Sequence, residues 1–298
     1  METGRVLGDR PPPAGGIDLD LPGQEIRLAA TRWPGHGTPV VLLHGLASQR
    51  RFWNLVVPSL AGLPVLALDQ RGHGGSDRPE DGYDVDEVAG DLGPALDAVG
   101  WSRVVLVGHS WGAAVAATFA ARHPERTLAL VCLDGGFLSP PAGSDRAATR
   151  MRLEPPRLAL RPEELEALLR QHTPTAWNDD VAAAVMPIFE MDDDGLARAR
   201  LPFETHMKVV DGLLDYDAPG TLSAVRCPSW LVACGPAGSE EGDWARAKSE
   251  ALDRLWDVLA DGRVMRWGGA VHDVPLQWPA LVAGLVRAAV DGVQTART

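Results

Sequence analysis

The chain has 298 residues, 45% of them apolar, with 28 Lys+Arg against 40 Asp+Glu and a formal charge of −12. That apolar content suffices for a buried core and excludes wholesale disorder, while an acidic balance with no basic block argues against a nucleic-acid scaffold. The length suits one large α/β domain carrying an insertion.

The opening METGRVLGDRPPPAGG lacks the apolar centre of a signal peptide and reads as a flexible lead-in. Short apolar, β-branched runs then alternate with longer helical patterns. Strands are expected at Glu25–Thr31, Pro39–Leu43, Pro64–Leu68, Arg103–Val107, Leu128–Leu133, Ser229–Ala233 and Arg263–Arg266. Several are apolar almost throughout, as strands covered on both faces must be. Helices are expected at Val85–Val99, Gly112–Arg122, Asp243–Leu259 and Trp278–Val290. This alternation predicts an α/β fold with a mostly parallel sheet and right-handed crossovers.

The rhythm breaks between Leu138 and about Ala224, a stretch rich in Pro, Arg, Glu and Leu. It shows helical patterns at Pro162–Gln171 and Asp180–Val185 but no strand. The expected organisation is a core formed by residues 1–137 and 225–298, with 138–224 as a helical cap. Cys132, Cys227 and Cys234 form neither a CxxC pair nor an even set, so buried thiols in a reducing compartment are expected. No run approaches the ~20 apolar residues of a membrane span. These features point to a soluble cytoplasmic protein without a membrane or nucleic-acid partner.

The sharpest chemical signal is the strand Val104–Val107 followed by Gly108-His109-Ser110-Trp111-Gly112 and a helical run. A serine nucleophile must stand clear of the sheet on a strained strand-to-helix turn, and the flanking glycines remove the Cβ clashes that would keep it open. After Val40–Leu43 comes His44-Gly45-Leu46. Acyl transfer needs two backbone N–H donors aimed at the developing oxyanion. Trp111, after the nucleophile, and Leu46, on the earlier loop, are the natural pair. His44 is read as a structural histidine shaping that loop.

With these motifs, the sequence from about residue 20 to 292 resembles the α/β-hydrolase fold superfamily in its serine-nucleophile branch. The resemblance implies an eight-stranded, mostly parallel sheet with helices on both faces and a helical cap. It includes Asp69-Gln70-Arg71-Gly72-His73-Gly74-Gly75-Ser76, which is similar to a structural turn of the family, so His73 is not the expected base. The family order is nucleophile, acid, histidine. His272, in Gly268-Gly269-Ala270-Val271-His272-Asp273, is therefore the expected base.

The acid has two possible places. After Ser229–Ala233, where the resemblance leads one to look for Asp, the chain reads Cys234-Gly235-Pro236-Ala237-Gly238-Ser239-Glu240-Glu241. Glu240, Glu241 or Asp243 could serve there only if the loop were remodelled. The family's second location offers Asp134, in Leu133-Asp134-Gly135-Gly136, whose alternative reading is a turn-capping aspartate. Asp134 is the leading assignment.

Serine at position 110 argues against the relatives of this fold that attack through an aspartate, the epoxide hydrolases and haloalkane dehalogenases. The expected activity is cofactor-independent hydrolysis, with no metal, of a small to medium carboxylic ester, lactone or thioester through an acyl-enzyme. A proline iminopeptidase-like aminopeptidase is the alternative, suggested by the G-x-S-W-G form and by the acidic cap residues Glu190-Met191-Asp192-Asp193-Asp194 and Glu204. A catalytically weak receptor or pathway cyclase of the same fold is a further one. Trp111 is expected at the bottom of the pocket, and Trp53, Trp177 and His206 are candidate pocket residues. The expected partner is a small-molecule substrate, and the expected assembly a monomer or homodimer.

Overall fold

A computed structural model describes residues 5–139, 145–235, 243–256 and 258–295. In chain order the strands are β1 (Arg5–Val6), β2 (Ile17–Pro22), β3 (Arg27–Trp33), β4 (Val40–Leu43), β5 (Val65–Leu68), β6 (Val104–His109), β7 (Thr127–Leu133), β8 (Phe189–Met191), β9 (Ala197–Ala199), β10 (Ser229–Gly235) and β11 (Gly262–Gly268). The helices are α1 (Val85–Gly90), α2 (Leu92–Ala98), α3 (Trp111–Arg122), α4 (Arg146–Arg152), α5 (Pro162–His172), α6 (Asp179–Val185), α7 (Phe203–Asp215), α8 (Ala218–Ala224), α9 (Asp243–Trp256), α10 (Val274–Gln277) and α11 (Pro279–Thr295).

Eight strands form one sheet in the order β11-β10-β7-β6-β4-β5-β3-β2. From β5 to β11 the pairs are parallel, and β3 and β2 add an antiparallel edge. Strand periodicity divides the central strands between two cores. Val41, Leu43, Leu106 and Leu130 face α1, α2, α3 and α8, whereas Val40, Leu42, Val107 and Val131 face α10, α11 and the 3-10 segment Arg50–Leu55. Both faces are thus dry, which is why β4 and β5 carry no polar residue. A Leu or Val fully buried there contributes roughly 1.5–3 kcal/mol.

Several elements differ from the sequence expectation. β2 was not expected: its exposed Asp18 and Asp20 suit an edge strand and conceal its pairing with β3. The helix expected over Val85–Val99 divides at Asp91. Pro94 has no N–H to give the preceding turn, and the Asp91 carboxylate is taken by Arg71 and the Gln24 N–H. The cap segment, expected to hold no strand, contains β8 and β9. β1, from the expected flexible lead-in, pairs with β8 through Arg5↔Met191 and Val6↔Glu190. The turn between β8 and β9 explains part of the acidic run, because Asp192 Oδ1 accepts the N–H groups of Asp194 and Leu196. No helix among the described residues is long and apolar enough to cross a membrane.

Candidate active site

Ser110 lies between β6 and α3 with φ 53° and ψ −123°. Its N–H donates to Leu133 O at 2.9 Å, which ties the turn to the end of β7. The turn closes only because neighbouring positions lack a side chain. A Cβ at Gly112 would stand 2.4 Å from His44 O, and one at Gly135 would stand 2.2 Å from Ser110 O. Among the described residues four non-glycine positions have positive φ, and three of them, Ala47, Ser110 and Asp134, belong to this corner of the sheet, so backbone strain is concentrated there.

The sheet brings Asp134 and His272 into direct contact. His272 Nδ1–H donates to Asp134 Oδ2 at 2.6 Å, which leaves Nε2 as the free acceptor of the ring. The Asp134 side chain is completely buried, while that of His272 is half exposed. Burial alone would raise the Asp134 carboxyl, but the His272 hydrogen bond and the Lys248 ammonium outweigh it and hold it below the usual carboxylate range. Asp134 also receives the Cys234 N–H at 2.8 Å. It therefore reaches outward to the imidazole rather than capping its own turn.

His272 sits on a loop anchored on both sides. Gln277 accepts from Val271 N at 2.8 Å and donates to Gly269 O at 3.0 Å, and His109 Nε2 donates to His272 O at 2.8 Å. The rings of His109 and His272 lie 4.8 Å apart. Burial pushes the imidazole of His109 down to about 3, so it stays neutral beside the exposed one. The Ser110 hydroxyl makes no hydrogen bond to a described residue, so the link to the imidazole is not closed. Catalytic contacts of this kind commonly tighten when substrate binds.

The loop bearing Leu46 packs directly on Ser110: a Cβ at Gly45 would lie 3.0 Å from Ser110 Cβ. Two buried histidines lace it to the loop after β5. His44 Nε2 accepts Gln70 N–H at 3.1 Å, and His73 Nε2 accepts Ala47 N–H at 3.2 Å. Each donates Nδ1–H to a carbonyl, His44 to Gly45 and His73 to Arg71, which fixes both tautomers. Burial lowers the pKa of both, that of His73 strongly, so both stay neutral acceptors. The backbone N–H groups of Leu46 and Trp111 have no hydrogen-bond partner among the described residues and are free for an incoming oxygen.

Among the remaining expected residues, Trp111 is buried beside Ser110 and stacks on His73 at 5.1 Å. Trp53 and Trp177 stand elsewhere than expected. Trp53 is fully buried in the core, edge-on to Phe52, which itself stacks on His109. Trp177 belongs to the cap's own apolar cluster with Leu165, Met186 and Phe189 and donates to Glu166 at 3.1 Å. His206, on α7, is hydrogen-bonded to Leu153 O at 3.1 Å. Glu240 and Glu241 lie outside the described residues, as does the side chain of Asp243.

Sequence reasoning missed Lys248, His109 and Gln277. His109 was marked by its place inside the motif, but Lys248 and Gln277 carried no local signal. Helix α7 packs against the loop that bears Leu46: its Met207, Val210 and Leu214 cluster with Phe203 and Leu46.

The family described as alpha/beta hydrolase fold matches residues 38–190. Epoxide hydrolase A of Mycobacterium tuberculosis is 42% identical over 120 residues, 39% of this chain and 37% of that protein. The 2-(acetamidomethylene)succinate hydrolase of Mesorhizobium japonicum is 34% identical over 104 residues, 35% of this chain and 37% of that protein. The chain thus spans little more than a third of the length of these curated relatives. The solved structure of E-2-(acetamidomethylene)succinate hydrolase superposes with a TM-score of 0.75 at 24% identity, covering 93% of this chain and 99% of that one. A thioesterase domain from the curacin biosynthetic pathway gives 0.74 at 18% identity, covering 92% and 99%. At such identities the likeness shows the fold.

Proposed function

The chain belongs to the α/β hydrolase fold family, and from that premise we propose that it is a cofactor-independent serine hydrolase acting on a small to medium carboxylic ester, lactone or thioester. Ser110 Oγ attacks the acyl carbon as its proton passes to His272 Nε2. Asp134 fixes the Nδ1–H tautomer and stabilises the imidazolium that forms. The N–H groups of Leu46 and Trp111 receive the tetrahedral oxyanion, whose stabilisation is worth about 3–4 kcal/mol per donor in comparable sites. His272 then returns the proton to the leaving group and activates the water that cleaves the acyl-enzyme.

The observation that carries this reading is the 2.6 Å His272–Asp134 hydrogen bond beside a serine held at positive φ. The names of the curated relatives support hydrolysis in general. Their epoxide-hydrolase chemistry has less support here, because attack on an epoxide by this fold is expected to need a carboxylate where this chain has Ser110. The aminopeptidase alternative loses one of its carboxylates, since Asp192 is paired with Arg198 and with its own turn.

The test is a panel of chromogenic esters, thioesters and arylamides, run with wild type and Ser110→Ala. Esters or thioesters should turn over at least about 10⁴-fold faster with the wild type, and a fluorophosphonate should label Ser110 alone. Equal activity of the two proteins overturns the mechanism. Tight ligand binding without turnover or labelling would instead indicate a receptor.

A further inference from the structure

Among the described residues, Lys248 is the charged group in contact with Asp134 to which the proposed mechanism assigns no task. It lies on α9, and its side chain is only 9% exposed. Its three donors are all used: Nζ stands 2.8 Å from Asp134 Oδ1, 2.6 Å from Oδ2 and 3.3 Å from Cys234 O. A lysine is rarely buried unless paired. Here it shares one carboxylate oxygen with the imidazole, since His272 Nδ1 also donates to Oδ2. Without Lys248, a fully buried carboxylate beside a neutral imidazole would hold an uncompensated charge, a costly arrangement.

Resting on the assignment of Asp134 as the acid of the site, we propose that Lys248 is a positioning residue. It holds the Asp134 carboxylate ionised and turned towards His272, and its charge offsets part of the pull that the carboxylate exerts on an imidazolium. A base paired with a lone carboxylate faces a net negative charge and is readily protonated by solvent as the pH falls. With Lys248 in place the pair facing His272 is close to neutral, so the base stays available at lower pH.

Among the described residues, the titratable groups facing His272 are few. Asp134 comes from the end of β7, Lys248 from α9 through that carboxylate, His109 from β6 and Asp273 from the same loop. His109 is neutral in the working range. Asp273 is unchanged in any Lys248 variant, so its influence cancels in a comparison. On the far wall of a cleft of about 40 Å³ beside Lys248, the Arg266 guanidinium is occupied by Ser249 and Asp253.

The experiment compares the acid limb of kcat/KM for an activated ester in the full-length wild type, Lys248→Gln and Lys248→Arg. Glutamine keeps a hydrogen-bond donor and removes the charge, and arginine keeps the charge with space available in the cleft. The expected result is an acid limb raised by about one pH unit or more in Lys248→Gln and left within about half a unit in Lys248→Arg. An unmoved limb in Lys248→Gln, or equal displacement in both variants, overturns the proposal. If Lys248→Gln does not fold, a limb displaced by more than about half a unit in Lys248→Arg overturns it alone. Asp134→Asn run alongside separates the two levels. Wild-type activity in that variant sinks the acid assignment itself, whereas its inactivation beside an unmoved Lys248→Gln profile sinks only the role of Lys248.

Discussion

The sheet side of the site and the cap side are held by different kinds of contact. At the carboxyl edge of the sheet, Asp134, Lys248, Cys234 and His272 form a closed set of short hydrogen bonds, and His44 and His73 lace the Leu46 loop to its neighbour. Segment 138–224 meets the sheet domain through apolar packing, with Val209, Ala218 and Leu222 in the main core and α7 on Leu46, through neutral bonds such as Gln49 Nε2 to Ala184 O and Tyr216 OH to Gly136 O, and through the exposed Lys208–Asp81 pair. Exposed ion pairs are individually worth about 0–1 kcal/mol, whereas breaking a buried pair costs about 3–5 kcal/mol. The atoms assigned to chemistry are therefore held by buried charge-assisted bonds, and the segment assigned to substrate selection mainly by apolar packing and neutral or exposed contacts.

The contrast is most exposed to refutation on the sheet side. Asp134→Asn should lower kcat about 10⁴-fold with KM little changed, because the amide presents the wrong tautomer to His272. A loss below about tenfold would mean that the acid lies elsewhere. The laced histidines give a second, smaller effect. Burial holds the imidazoles of His44, His73 and His109 below their unfolded value near 6.5, that of His109 at about 3. The unfolded chain then binds more protons, so their stabilisation is complete above pH 6.5 and declines as pH falls from there towards each folded value. Each can remove up to about 1.4 kcal/mol per pH unit. Urea midpoints should fall between pH 7 and 5, less steeply in His73→Phe, and flat midpoints would contradict neutral burial.

Much of the sheet side was legible in the sequence because its residues sit in local patterns. The G-x-S-x-G turn, the His44-Gly45-Leu46 loop and the late His272 each follow an apolar strand, and strand ends are what the sheet aligns. Asp134 was singled out because it too follows a strand, and it stands in contact with His272. Lys248 was not legible: it meets Asp134 across 114 positions of sequence from the interior of a helix, where a lysine ordinarily faces water. Strand β2 was hidden by its solvated aspartates, and β8 and β9 by their brevity. Within segment 138–224 the periodic patterns of α5 and α6 were legible, whereas α4, α7 and α8 and the packing of the segment were not. Trp177, an apparent pocket residue, is used instead to fill the cap's own cluster.

On the cap side the expected effects are smaller and fall on binding. Val210→Ala opens the cluster against Leu46 and should cost about 1–3 kcal/mol of stability. KM should rise several-fold with kcat within about twofold, since α7 meets the Leu46 side chain and leaves its N–H untouched. A kcat loss as large as that of Asp134→Asn would show that the cap positions the oxyanion donor, and the division between the two sides would fail.

The acidic stretch gives the smallest effect and the most discriminating null result. Asp193, Asp194 and Glu204 are exposed, and Asp192 is committed to Arg198 and to the backbone of its turn. Carboxylates so placed are solvated surface, and neutralising them removes only weak, salt-screened interactions. The triple variant Asp193→Asn, Asp194→Asn, Glu204→Gln should therefore keep kcat/KM within about twofold of wild type for neutral esters and for proline or alanine arylamides alike. A selective loss on the amine-bearing substrates would mean that these side chains bind an ammonium group. Segment 138–224 would then carry the specificity of an aminopeptidase.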